Sequence, residues 1–335
     1  MEVLLTVVKW TCIALVITMI YSASKSQSTL PSLEVDPHDI YTPDFYPNGS
    51  YLELPLGRMR YWLFGNSSGK RVVLIHGIST GSVVYEKLAR YLAKEKGHYV
   101  LIYDIWGRGY TQAPPVTYDE ALYTSQLAML LQKVGWTKTD IIGVSLGGAI
   151  ATSFTAYYPE MVKKLILIAP AGLLDEKKDM PFISKLFRLP YVYQFLVNQT
   201  WLRGWMLLNI ERFAKSTRLT QNNLDKEAQE QSIKITKVAT YQFVHHSGLI
   251  RAFAGTIAAY PLTGLDERYK KVGKQQDSNV LLIWGGKDKT CPYYPEKTKK
   301  LLPKARLAFY KEEGHDILNA QWKSVHEAIE NFLVS

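Results

Sequence analysis

From residue 49 onward the chain alternates between two hydrophobic rhythms. Short runs that are apolar at nearly every position, such as Val72, Val73, Leu74 and Ile75, are separated by longer stretches whose apolar residues recur at helical spacing. The runs predict strands over residues 51–56 and 58–64, a pair turning at Gly57, and then over 72–75, 99–104, 140–144, 165–169, 280–284 and 305–310. The longer stretches predict helices over 83–96, 118–134, 146–158, 296–301 and 317–333. A strand apolar on both faces has to be covered on both faces. Strands of that kind alternating with helices predict an α/β fold with a mainly parallel central sheet flanked by helices.

The rhythm breaks in two places. Between residues 171 and 274 no buried strand is visible. Instead the pattern is helical and rich in aromatic residues: Phe182, Phe187, Tyr191, Tyr193, Phe195, Trp201, Trp205 and Phe213, interleaved with Lys185, Arg188, Arg203, Arg212 and Lys215. Such a stretch inside an alternating chain reads as a helical cap inserted into the core. The aromatic residues serve either as the cap's own core or as a wall for a substrate.

At the other end, residues 3–21 are predominantly apolar with Lys9 the only charge, about the length of a membrane-crossing helix. A signal peptide with a cleavage site near Ser22, Ala23 and Ser24 is the competing reading. The anchor is preferred because apolar character begins at Val3 and leaves almost no separate charged start. The polar stretch that follows carries Pro31, Pro37, Pro43 and Pro47 and reads as an extended linker. The expected organisation is therefore an anchor or signal peptide at 1–24, a linker at 25–48, a core at 49–170 and 275–335, and a cap at 171–274.

Composition changes this picture little. With 335 residues, 47% of them hydrophobic, the chain can bury a large core. Forty Lys and Arg against 30 Asp and Glu give a net charge of +10. The basic residues are interspersed with acidic ones, which speaks for a membrane surface and against nucleic acid as the anionic partner. Cys12 and Cys291 are the only cysteines, so no disulfide framework or cysteine metal site is expected. Asp36, His38 and Asp39 cluster in the proline-rich stretch, without a folded scaffold for a metal. No cofactor is called for. Sequons at Asn48, Asn66 and Asn198 would accept glycans if the domain faces a lumen.

Candidate chemistry centres on Gly143-Val144-Ser145-Leu146-Gly147-Gly148, which follows an apolar run and opens a small-residue helix. A serine on so sharp a strand-to-helix turn needs glycine neighbours that let the two elements approach. Three further motifs accompany it in order: His76-Gly77-Ile78-Ser79, then Asp104-Ile105-Trp106-Gly107-Arg108-Gly109-Tyr110-Thr111, and finally Asp288 and His315, each following a late strand. Together these resemble the α/β-hydrolase-fold serine hydrolases, over roughly residue 51 to the C-terminus. Thr111 stands where that family usually has Ser.

The resemblance implies an ester hydrolase with Ser145 as nucleophile, His315 as base and Asp288 as the carboxylate that orients it, in the family's chain order. For Asp288, a helix-capping role and the alternative acid Asp175 remain open; Asp316 is a poor orienter because it is adjacent to His315. The resemblance also implies an oxyanion hole from the backbone N–H groups of Leu146 and Ile78, with Gly143, Gly147, His76 and Gly77 as supporting residues. His76 would hold loop geometry, and His326 reads as a surface residue. With the anchor and the cap, the layout is similar to membrane-anchored monoacylglycerol lipases and esterases, and the expected substrate is a small-molecule or lipid ester. Carbon–carbon bond hydrolases and acyltransferases share the fold, although no histidine here has Asp five positions on, as the lipid acyltransferases do. A catalytically silent interaction protein would be expected to lack one of the three residues.

Overall fold

Eight strands form one sheet: β1 (Gly49–Leu54), β2 (Gly57–Gly65), β3 (Arg71–Ile75), β4 (Tyr99–Tyr103), β5 (Thr139–Val144), β6 (Val162–Ile168), β7 (Val280–Gly285) and β8 (Arg306–Tyr310). The structure, a computed structural model, describes residues 2–25, 28–180, 182–189, 192–197, 201, 204–205, 207–208, 225–276 and 278–335. Tyr191, Asn198, Arg203, Arg212, Phe213 and Lys215, all singled out above, lie outside them. The strand order is β1-β2-β4-β3-β5-β6-β7-β8. The pairs β1–β2 and β2–β4 are antiparallel and every other pair is parallel. Alternation along each strand divides the core into two layers: Val73 and Ile75 enter one, Val72 and Leu74 the other.

The central strands β3 to β7 were legible because both faces are buried, and the start of β6 differs because polar residues interrupt the pattern. β6 begins at Val162, three residues before the apolar run, because Lys163 and Lys164 stand within it. The Lys164 ammonium donates to the Phe332 carbonyl at 2.6 Å. The single helix expected over 83–96 is three pieces: a 3-10 turn at Ser82–Tyr85, an α-helical turn at Glu86–Arg90 and a π-helical turn at Tyr91–Glu95. The closing helix is likewise split at Gln321 into Ile317–Ala320 and Trp322–Val334.

Within the stretch 25–48, expected as an extended linker, residues 28–48 are a strap packed onto the core. Leu33 and Tyr41 are fully buried and Tyr46 almost so. Leu30 exchanges two backbone hydrogen bonds with Ala113. The Tyr46 hydroxyl donates to the Ser82 carbonyl at 2.8 Å, and the Tyr41 hydroxyl donates to the Asp104 carboxylate. Prolines set the extended path, and the aromatic residues between them supply the burial.

The inserted stretch contains helices at Phe182–Phe187, Val192–Val197, Lys226–His245, Leu249–Ala259 and Asp266–Gln275. Phe187, Phe243, Leu249, Ile250 and Ala254 make a separate small core within it, while Phe182, Trp201 and Trp205 are exposed. Of the two readings of the cap aromatics, the cap's own core holds for Phe187, with Tyr193 packed against it. Asp266–Gln275 belongs to the core rather than to the cap: Tyr269 and Val272 enter the main hydrophobic layer, and the Tyr269 hydroxyl donates to the Ala171 carbonyl at 2.7 Å. At the N-terminus a helix spans Glu2–Lys25. Within it, Glu2–Tyr21 is the one helix among the described residues long and apolar enough to cross a membrane, a property that an anchor and a signal sequence share.

Removing the strap's buried hydrogen bond should loosen the fold measurably. Tyr41→Phe leaves a buried carboxylate short of one donor and is expected to lower unfolding stability by about 1–3 kcal/mol in urea titration of the full chain in detergent.

Candidate active site

In strand order, β3 lies between β4 and β5, so connections diverge to opposite sides at the β3/β5 boundary. In open α/β sheets the carboxyl ends of strands at such a point form a crevice. The parallel register pairs Ile75 with Gly143, which sets the residues after β3 beside those after β5. A Cβ built on Gly77 would lie 3.4 Å from the Ser145 Cβ.

Ser145 occupies a positive φ of 55°, a conformation that costs a non-glycine residue roughly 1–3 kcal/mol. The surroundings hold it there. Its N–H donates to the Ile168 carbonyl at 3.0 Å, and its carbonyl accepts from Gly148, Ala149 and Ala171. Any side chain at Gly143 or Gly147 would break the turn: a Cβ would meet the Gly147 carbonyl oxygen at 2.3 Å or the Ile75 carbonyl oxygen at 1.9 Å, respectively. Leu146 begins the helix Leu146–Tyr157, so its N–H precedes the intrahelical ladder.

The loop after β3 is gripped from behind through its carbonyls. His76 Nε2 accepts from the Ile105 N–H at 3.0 Å, which leaves the proton on Nδ1, donated to the Gly77 carbonyl at 2.7 Å. Burial lowers the His76 pKa to about 3, so the ring is neutral and its 3.7 Å approach to Asp104 is not an ion pair. The Ile78 carbonyl accepts from Arg108 Nε at 3.0 Å, and the Thr80 carbonyl accepts from Gln242 Nε2 at 3.1 Å. At the loop's far end, the Ser82 N–H and hydroxyl donate to Asp104 at 2.9 and 2.8 Å. With the carbonyls committed in this way, the Ile78 N–H makes no hydrogen bond among the described residues.

Asp288 and His315 arrive from the other side of the sheet. β7 and β8 pair through Gly285 and Tyr310, and the pairing continues past the strand ends as Gly286 donates to Tyr310 and Lys287 to Glu313. This zipped pair of loops brings His315 Nδ1 within 2.8 Å of Asp288 Oδ2. Asp288 Oδ1 accepts the N–H groups of Thr290 and Cys291, both at 2.8 Å. The local capping role and the partnership with histidine are thus held by separate oxygens of one carboxylate. That side chain is wholly buried, whereas the His315 side chain keeps 19% exposure.

Burial alone would lower the His315 pKa. The charge and hydrogen bond of Asp288, with a smaller contribution from Asp316, outweigh it and raise the value above 6.5. The pair therefore stabilises the fold fully below the unfolded histidine value near 6.5, a contribution lost as pH rises through the higher folded value.

Asp175 is excluded as the partner, since its carboxylate accepts the Lys177 and Lys178 N–H groups at the surface. His326, expected at the surface, is buried between Tyr91 and Trp322, with its pKa lowered by burial to about 4. Thr111, where Ser was usual, uses its hydroxyl twice: it donates to the Asp104 carbonyl at 2.7 Å and accepts from the Arg60 N–H at 2.9 Å.

Ser145 and His315 line a common cavity of about 200 Å³. Ile78, Val84, Val144, Ile235, Ala239 and Leu318 make most of it apolar, with Ile235 and Ala239 coming from the cap helix Lys226–His245. Two residues tie this cap to the site: Arg108, which sequence reasoning placed in a motif without giving it a role, and Gln242, which it missed. Arg108 is fully buried and binds neutral acceptors only: besides Ile78, it donates to the Trp106 carbonyl, the Tyr123 hydroxyl, the Thr256 hydroxyl and, at 3.4 Å, the Ala252 carbonyl. Gln242 joins Thr80 to the Gly109 N–H, which donates to it at 2.7 Å. A charged Arg held between Gly107 and Gly109 in the loop after β4 was the available signal for Arg108; nothing local marks Gln242.

A family profile for the alpha/beta hydrolase fold matches residues 70–318. An uncharacterised protein of Mycobacterium tuberculosis is 32% identical over 123 residues, 37% of this chain and 35% of that protein, so the match spans about a third of that relative. Lipase 1 of Psychrobacter immobilis is 25% identical over 272 residues, covering 77% of this chain and 75% of the lipase. The solved structure of a membrane phospholipase A superposes with a TM-score of 0.60 at 19% identity, covering 99% of this chain and 97% of that one, a likeness of fold. The chain belongs to the α/β-hydrolase fold family.

Arg108→Met would strand buried acceptors on the core turn, the loop after β3 and the helix Leu249–Ala259. Its unfolding free energy is expected to fall by roughly 2–4 kcal/mol in chemical denaturation.

Proposed function

We propose that this α/β hydrolase is a serine esterase of the lipase type, acting on apolar acyl esters through a covalent acyl-enzyme. The observation that carries the reading is the strained Ser145 sharing one cavity with a His315 whose far nitrogen is bonded to a buried carboxylate. A serine hydroxyl is a weak nucleophile unless a base stands ready to take its proton, and a base of this kind needs a fixed tautomer. Asp288 fixes it, with the proton on Nδ1 and Nε2 left as the acceptor.

In the proposed cycle Ser145 Oγ attacks the ester carbonyl carbon and passes its proton to His315 Nε2. The carbonyl oxygen becomes an oxyanion and accepts the N–H groups of Leu146 and Ile78, each such donor worth a few kcal/mol in the transition state. Collapse breaks the bond to the alcohol oxygen, which leaves with the proton from His315. A water then repeats the sequence on the acyl-enzyme and frees the acid. The apolar cavity wall suits an acyl chain, and the naming of one length-matched relative as a lipase agrees with that.

We further read Glu2–Tyr21 as an anchor and 49–170 with 266–335 as the catalytic core, whose cap delivers the substrate from the bilayer. The exposed Phe182, Trp201 and Trp205 on the cap fit that placement.

The pH profile tests the base assignment. For a short-chain ester, kcat/KM is expected to fall on the acid side with an apparent pKa above 6.5, since protonated His315 cannot accept the serine proton. In Asp288→Asn the force raising that pKa is gone and burial prevails. The acid limb should move to lower pH, while kcat drops by roughly 10³–10⁴. An unmoved acid limb in this variant would remove His315 and Asp288 from their proposed roles.

A further inference from the structure

The sheet ends on β1 at one side and on β8 at the other, so each of these strands has an outer row of backbone N–H and C=O groups with no partner strand among the described residues. Folded proteins usually cover or charge such an edge, because it accepts a further strand. β1 follows that rule. Its exposed positions are Ser50 and Glu53, Arg58 pairs with Glu53 at 3.1 Å, and the Arg58 guanidinium lies 3.7 Å from the centre of the Tyr51 ring. β8 does not follow it. Leu307 and Phe309 share one face of the strand and are 43% and 46% exposed. The one charge within β8, Arg306, is laid over the Phe332 ring, 5.3 Å from its centre. Outside the N-terminal helix and the cap, the exposed large apolar residues among the described ones are Val35, Tyr157, Leu307, Phe309 and Val334. The last three lie at this edge, since Val334 precedes Ser335, whose hydroxyl accepts from Arg306 at 3.3 Å.

We propose that the outer edge of β8 pairs antiparallel with β8 of a second copy of this chain, joining the two sheets across a two-fold axis. In such pairing, residues whose numbers add to a constant stand opposite each other, and only an even constant keeps like faces together. Centred on Ala308, the pairing uses the whole strand. It sets Leu307 against Phe309 of the second copy and Arg306 against Tyr310, each contact occurring twice by symmetry. Just past the strand ends it sets the exposed Lys304 against the exposed Glu312 of the second copy. Glu312 already meets Lys287 in a solvent-exposed pair, and across the axis it gains a second cation. Centring on Leu307 would instead leave Phe309 facing Ala305, and centring on Phe309 would leave Leu307 facing Lys311. A bilayer is a poorer occupant, because hydrocarbon cannot satisfy the edge N–H and C=O groups beside Leu307 and Phe309, whereas a second strand does. The inference is independent of the ester-hydrolase reading.

The test is the mass of the full chain in detergent, measured by sedimentation over a range of micromolar concentrations. Wild type is expected at twice the mass of one chain. Leu307→Lys combined with Phe309→Lys should raise the dimer dissociation constant at least about tenfold, with the melting curve unchanged. Charge reads the register: Glu312→Lys should weaken the dimer several-fold, and adding Lys304→Glu should restore it, a rescue that a folding defect does not give. Ala308→Cys in a Cys12→Ser background should cross-link to its own copy on mild oxidation, since directly opposed residues have Cα atoms about 4.5–5.5 Å apart, within disulfide range. A wild type that stays monomeric at every concentration overturns the proposal. So does a dimer that survives the two lysines, which would place the contact on the N-terminal helix or another surface, and so does a charge exchange that fails to restore the dimer. If the double lysine variant does not fold, the charge exchange and the cross-link decide without it.

Discussion

A single buried carboxylate, Asp104, sits where four parts of the molecule meet. It directly follows β4 and receives the hydroxyl of Tyr41 from the strap, the N–H and hydroxyl of Ser82 from the loop after β3, and the N–H of Tyr110 from its own turn. Burial raises its pKa, and these donors oppose that rise. A buried charge is tolerated only when its lone pairs are met, so the donors must stay in place for the carboxylate to remain there. The turn itself has to be glycine at 109, where a Cβ would come within 2.0 Å of the Asp104 carboxylate. Fixing Ser82 fixes the end of the loop whose other end carries Gly77 and Ile78.

From that anchor the site is assembled by backbone contacts made from behind. His76, Arg108 and Gln242 each take or support a carbonyl of the loop, and two of them also reach the cap or its docking turn. The cap is therefore not an independent lid resting on the sheet. It shares hydrogen bonds with the loop that faces Ser145, and the same helix, Lys226–His245, contributes both Gln242 and the cavity residues Ser232, Ile235 and Ala239. A shift of that helix would be felt at once in the cavity wall and in the loop.

How much of this was legible depends on how local the physics is. The elbow at Ser145 could be read because strand, sharp turn and helix impose glycine at 143 and 147 within a few residues. The central strands could be read because both faces are buried, and β6 was misplaced at its start where Lys163 and Lys164 interrupt the pattern. The strap was misread because proline marks an extended path whether or not the path is buried; Tyr41 and Tyr46 were the contrary signal. The roles of Arg108 and Gln242 were not foreseen, since each is defined by partners far away in sequence. His326 shows the same limit: an amphipathic helix does not announce which polar residue turns inward.

The account stands or falls on Ser145 being the nucleophile. The most direct measurement is intact-mass and peptide mapping of the folded full chain after treatment with a fluorophosphonate, beside Ser145→Ala. The account predicts one phosphonyl group per chain, located on Ser145 and absent from the variant. A folded wild-type protein that takes up no label, or one labelled equally in the variant, would contradict it.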